Sequence, residues 1–575
     1  MGIRKLTHSL AFTALVLSSC STHSIDRDDP LTLPDFHSQK EIQELPRVLY
    51  LVQEGKTREA VKAYIKYHKE TGLHDFELLY QMAQSILYKG ANSLDSSDHL
   101  RAIYGSGITM NTQSIPILEQ GINSPNPQAQ LASINFLARL QDDNADELLE
   151  RALSSRNLLV RLESAFYLAS KKKSLGQIDA LMHKVDSDIR PLFPQLFAMI
   201  GSTQAIDRVK YLLADSDPDV RLAAILSVME YQRDDLLPLI RTLSTQHDIA
   251  HQEACAFVFA TLKDGASIEN LKILSRSPAK NVQLAAWKAL YQMGHRENRH
   301  YIEQMAKEGS SFAIVELRDI DESKDTLYDL ANSPDLQVRT NATISLLEQR
   351  DSHCVSGLLD ILIKDSRDLA FLPQFSIGRG TVAWKAIPSA HQNLRKKPFA
   401  FELSLKMREE ALRRARDLPE KDFLLLAHAL FQSGQTQLIP SLVVHLEAVQ
   451  SDAAINLLKK YQQKPGSPLT RDYCNLSLFR LKEEGPYTEN LRKWLQHYQD
   501  TDLINFRTFI PWKLRPSLSP YELTPEETSG LIIETCSALA DSHDEQSVET
   551  LLQTLSQAKS QNQFALAGLI IRAIE

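Results

Sequence analysis

One feature limits what this chain can fold into more than any other. A turn, an apolar residue and a small residue recur at a near-constant interval of about 31 residues. The apolar anchors are Ala129, Val160, Ile189, Val220, Ala250, Val282 and Val338. The wide gap before Val338 leaves room for one degenerate unit near Phe312 to Leu317. Four positions after each anchor stand Ser133, Ser164, Phe193, Ala224, Ala254, Ala286 and Ala342, nearly all small. Eight positions after stand Leu137, Leu168, Phe197, Val228, Val258, Leu290 and Leu346, all apolar. Offsets of four and eight share one helical face. Small residues there let a neighbouring helix approach, and the larger ones fill the core between them.

Three positions before the anchors stand Asn126, Asn157, Asp186, Asp217, His247, Ala279 and Asp335. Asn and Asp accept hydrogen bonds from the free N–H groups of a first helical turn, so most of these predict N-caps. An earlier amphipathic segment precedes each anchor, as at Ala205 to Leu213, so each unit reads as two helices joined by a short turn. Pro191 and Pro194 fall inside one second helix and predict a kink there.

A chain of 575 residues is too long for one core. Units that stack on their neighbours remove that limit. With 43% hydrophobic and 24% charged residues the chain is not disordered, and only 20 glycines favour helix throughout. The expected fold class is all-α, an α-solenoid of helix-turn-helix units.

These spacings resemble HEAT repeats, particularly the short variety of the phycobilisome-lyase type. The resemblance covers about residues 110–365. It implies an Asp/Arg ladder linking successive repeats, carried here by Asp217 with Arg221 and Asp335 with Arg339, together with Arg161 and Arg190. Residues 40–110 read as an N-terminal helical cap, in which Gly55 to Tyr64 is similar to the turn of a tetratricopeptide repeat. Residues 366–575 continue as less regular helices.

Residues 1–19 read as a signal segment: Arg4 and Lys5, then eight mostly apolar residues, too few to span a bilayer. Leu17, Ser18, Ser19 and Cys20 resemble the bacterial lipobox. That implies cleavage before Cys20, lipidation of its sulfur and amino group, and anchoring in a membrane. Residues 20–39 then form a tether, and Ser21 after the cysteine implies the outer membrane, facing the periplasm.

Two stretches, 371–398 and 506–521, interrupt the helical pattern. Both hold tryptophan, proline and bases: Arg379, Trp384 and Lys385 in the first, Trp512, Lys513 and Arg515 in the second. They are expected as irregular loops and as the candidate partner-binding elements.

The chain lacks a Gly-x-Ser-x-Gly elbow, a P-loop, His-Glu-x-x-His and Cys-x-x-Cys. His247, His251 and Cys255 share a helical spacing, but the repeat register gives them cap and core positions, so no metal is expected. Cys255, Cys354, Cys474 and Cys536 are too far apart in the repeat order to pair and should be free, buried thiols. The net charge is −8, or −10 without Arg4 and Lys5, which disfavours nucleic acid. The expected function is a monomeric, non-enzymatic, membrane-anchored scaffold for a protein or peptide partner, with no cofactor. The alternatives are an enzyme of the HEAT-like lyase kind and a nucleic-acid-binding repeat protein.

Overall fold

The computed structural model describes residues 41–72, 74–363, 369–377, 382–388, 398–434, 436–463, 467–497 and 525–575. The signal segment, Cys20, the tether and the 506–521 stretch lie outside the described residues.

The repeat folds as its register dictates. The second helices include Pro127–Leu137, Leu158–Ser170, Pro218–Glu230, Ile249–Thr261, Lys280–Gln292 and Leu336–Glu348. Every residue at the +4 and +8 positions is buried, most of them completely. Asn126, Asn157, Asp217 and Asp335 cap their helices by accepting from first-turn N–H groups. One cap is displaced: Asp248, not His247, accepts from the His251 N–H. Pro191 splits its unit into a 3-10 turn, Ser187–Leu192, followed by a short helix, Phe193–Ile200. The degenerate unit is the short helix Ser311–Glu316.

Successive second helices pack on one another more closely than successive first helices do, so the second helices form the inside of the curve. That inner row continues beyond the regular repeats through Pro398–Ala415, Ile439–Val449, Pro468–Arg480, Pro525–Asp541 and Gln563–Ile574. The last of these packs on Ser96–Ile108 near the start, which in turn packs on Pro127–Leu137. The row therefore closes on itself. One hydrophobic cluster holds residues from both ends, with Leu79, Met82 and Leu87 beside Leu551, Leu566 and Ile570.

Glycine makes this closure possible. Ser96–Ile108 and Gln563–Ile574 cross at Gly105 and Gly568, where a Cβ on either glycine would overlap the other helix's backbone. The seam is fastened further by Arg58, which donates to the Ala558 carbonyl at 2.8 Å, and by an Asn111–Glu575 hydrogen bond spanning 464 residues of sequence. Thr57–Thr71 lies across the seam against Glu545–Gln557, and Glu41–Gln53 packs on it and on Phe76–Ala91. They share the core of the chain's other end and do not terminate an open stack.

The described part of the 371–398 stretch is not an irregular loop. It holds an antiparallel hairpin of β1 (Leu369–Phe375) and β2 (Val382–Pro388). Pro373 faces Trp384 and Pro388 faces Leu369, two positions of the same phase in the register. Proline has no N–H to give, so both prolines fit only if that phase is the non-hydrogen-bonded one. The backbone N–H and C=O of Trp384 then point away from β1 and need partners elsewhere.

Candidate functional site

Those partners come from the inner row. The Asn341 side chain, completely buried on Leu336–Glu348, takes the Trp384 N–H at 2.5 Å and donates to the Trp384 carbonyl at 2.6 Å. One amide thus satisfies both outward groups of one strand residue. β2 also packs on Ser311–Glu316. Past the strand end, Glu253 on Ile249–Thr261 accepts from the Ser376 hydroxyl and from the Ile377 N–H. The hairpin therefore lies along the inner wall, crossing helices from Leu336–Glu348 to Ile249–Thr261.

The wall beneath it carries buried charge. Lys288, 3% exposed, reaches Glu316 at 3.2 Å and Asp319 at 3.0 Å and donates to the Glu316 carbonyl at 2.6 Å. Glu253 is 2% exposed, and burial pushes its carboxyl above the usual range. The donors Ser376 and Ile377 act the other way, and the negative Glu316 adds to the upward push.

A carboxyl whose folded pKa exceeds its unfolded value contributes stability that is full at low pH and is lost as pH rises through the folded value. Glu253→Gln should therefore melt higher than the native chain at neutral pH. That gain should vanish as pH falls toward the ordinary carboxylate value of 4.5. Melting curves across that range check the prediction. Asn341→Leu removes the side chain that takes the Trp384 N–H and C=O, a loss of about 2–4 kcal/mol. It should release the hairpin, seen as faster amide exchange over residues 369–388 while the flanking helices keep their protection.

The residues singled out in the sequence are placed differently from expectation in two respects. Trp384 was expected at a partner contact, but it is 5% exposed and joins the hydrophobic core, so it anchors the hairpin internally. Lys385 pairs in register with Leu372, while Arg379, Trp512, Lys513 and Arg515 lie outside the described residues or ranges. The Asp/Arg ladder also has other rungs. Asp217 and Asp335 are occupied as caps, so Arg221 and Arg339 turn to carbonyls of their own turns, those of Asp215 at 2.7 Å and Ser333 at 2.6 Å. The links between repeats are instead Arg190–Asp215 at 2.6 Å, Arg208–Asp179 at 2.9 Å and Arg241–Asp264 at 2.7 Å. Arg161 makes none of these ion pairs.

His251 sits at the arginine position and reaches back to the Pro218 carbonyl at 2.9 Å, a structural contact. Among the described residues no three His, Cys, Asp or Glu side chains come together to hold a metal. Cys255, Cys354, Cys474 and Cys536 are free and buried, which raises all four thiols well above the ordinary value. No helix among the described residues is long and apolar enough to cross a membrane. A cleft of about 710 Å³ lies at the seam, between Lys56, Lys89 and Phe564.

Sequence reasoning passed over Asn341, Glu253 and Lys288. Glu253 and Asn341 stand three positions after their anchors and Lys288 six, positions that hold polar and apolar residues alike along the repeat, so the register alone does not single them out.

These helix pairs define the class: a HEAT-like helical-repeat solenoid, here with its ends joined. No family model and no curated protein matches the chain. Solved structures with similar folds include the CpcE–CpcF complex of phycocyanin lyase from Nostoc sp. PCC7120, at 18% identity and TM-score 0.28 over 37% of this chain and 91% of that one. The karyopherin Kap121p is similar at 14% identity and TM-score 0.37, over 92% of this chain and 67% of its own. UNC-45 from Drosophila melanogaster is similar at 13% identity and TM-score 0.32, over 92% and 82%.

Proposed function

We propose that the protein is a non-enzymatic scaffold, held to a membrane by lipid on Cys20 and binding a protein or peptide partner on its inner wall. One observation carries the reading. The wall already holds a polypeptide, its own hairpin, through side chains directed at backbone groups, a mode that any extended chain could satisfy. A repeat stack offers such a surface over many units. The Leu17-Ser18-Ser19-Cys20 sequence supports the anchor, and Ser21 supports an outer-membrane location facing the periplasm.

Two arms test the proposal. Cys20→Ala should move the protein from the membrane to the soluble fraction of fractionated cells. Crosslinking in intact cells should recover one envelope protein with the native chain and lose it with Cys20→Ala. Membrane association unchanged by Cys20→Ala would overturn the anchor, and capture of nucleic acid would overturn the scaffold.

A further inference from the structure

The hairpin covers only part of the inner wall, and the repeat register allows covered and uncovered parts to be compared position by position. Six residues after the anchors, Ala256, Lys288 and Ile344 are buried in the hairpin-bearing half. The equivalent Asn135 and Phe166 are exposed, and Gln195 and Leu226 are half-buried. Three residues after, Glu253, Ala285 and Asn341 are buried, whereas Leu192 is 49% exposed and Glu163 and Ala223 are half-buried, with only Ala132 buried in that half. The same face of the same repeat is thus packed in one half and more open in the other.

The open part is apolar and aromatic. Phe166 is 41% exposed and in ring contact with Tyr167, Leu192 of the next unit is exposed, and Phe136, Met199 and Leu226 of the same row are half-buried. Large apolar side chains left uncovered on one wall mark a contact surface. The wall continues past the end of the hairpin: Ile377 packs against the hydrophobic cluster that runs from Leu100 to Leu290, and the next inner helix after Ile249–Thr261 is Pro218–Glu230.

We propose that this open stretch, from Pro127–Leu137 to Pro218–Glu230, docks an extended, apolar strand of a partner protein, laid in line with the hairpin. The hairpin shows the chemistry the wall accepts: an extended strand with Ala383 and Trp384 buried, the Asn341 amide taking the Trp384 N–H and C=O, and Glu253 taking the Ile377 N–H. In the open half Glu163 stands where Glu253 receives the Ser376 and Ile377 donors, while the Gln195 and Asn135 amides donate to Glu230 and to the Tyr167 hydroxyl. An amphipathic helix would bury its own backbone bonds and leave the Glu163 position unused. The inference rests on the scaffold reading and narrows it to one face and one kind of ligand.

The test uses the full chain and two labelled synthetic peptides of equal composition, one with apolar residues at every second position and one at helical spacing. Fluorescence anisotropy should show the strand peptide binding and the helical peptide failing to bind. Phe166→Glu and Leu192→Glu should each weaken strand binding about tenfold or more. Tyr211→Glu, on an exposed position of a first helix, should leave it unchanged. All three variants should keep the native melting curve, since all three positions face solvent. Preference for the helical peptide, or equal loss in Tyr211→Glu, would overturn the proposal.

A photoreactive phenylalanine at Phe166, and separately at Tyr211, distinguishes the two levels of argument in cells. Adducts with a partner's apolar extended segment at Phe166 support the docking site. Adducts at Tyr211 alone overturn it while the scaffold reading survives. Adducts with a second copy of this chain or with its own 498–524 segment also overturn it, and none at either position counts against both readings.

Discussion

Gly568→Val is expected to destabilise the protein by about 3 kcal/mol or more and to open the seam. The new side chain would overlap the Gly105 backbone, and both partners are backbone of packed helices, which cannot rotate aside as a side chain can. Relief requires Gln563–Ile574 to move off Ser96–Ile108, exposing Leu566, Ile570 and their neighbours in the shared cluster. Gly176, with open space around it, is the control: Gly176→Val should cost no more than an ordinary helical substitution. Urea melts measure the loss, and protease cleavage within residues 41–91 should accelerate only in the seam variant. A Gly568→Val protein as stable and as protease-resistant as the native chain would mean that the crossing is not tight.

Lys288→Ala should have an effect of similar size, about 3–5 kcal/mol. Lys288 and Glu316 are both nearly inaccessible, so removing the ammonium leaves a carboxylate without its cation in a place water scarcely reaches. A buried pair of this kind is costly to break and cheap to replace. Lys288→Met combined with Glu316→Leu should recover most of the lost stability, because the desolvated charges are then both gone. Chemical denaturation of Lys288→Met, Glu316→Leu and the double variant gives the coupling directly. Additive losses would show that the pair is screened by solvent.

The local repeat was plain in the sequence because each unit repeats the same physical problem. A cap, an anchor, a small residue and two apolar ones recur, and their burial follows from offsets of four and eight. Closure was not plain, since contact between residues hundreds of positions apart leaves no local period. Its trace was Gly105 and Gly568 inside helices, where glycine is unfavourable without a packing reason.

The hairpin was hidden by its prolines. Pro373 and Pro388 read as breakers of regular structure, yet both occupy register positions where a strand needs no N–H bond to its partner. The polar residues of the inner wall stand at positions that vary between polar and apolar from unit to unit, and nothing local told that a strand of the same chain would cover three of them.

The stack closes into a ring through the contact between its first and last helices. The distance between its ends tests this most directly. Nitroxide labels at Leu94 and Ser560, both exposed and flanking the seam, are suitable because the cysteines of the described body are buried. Pulsed electron resonance should return one narrow, short distance that lengthens in Gly568→Val. An open stack of this many layers, each about 8–10 Å thick, would hold its ends far apart. A long or broad distribution in the native protein would contradict the ring.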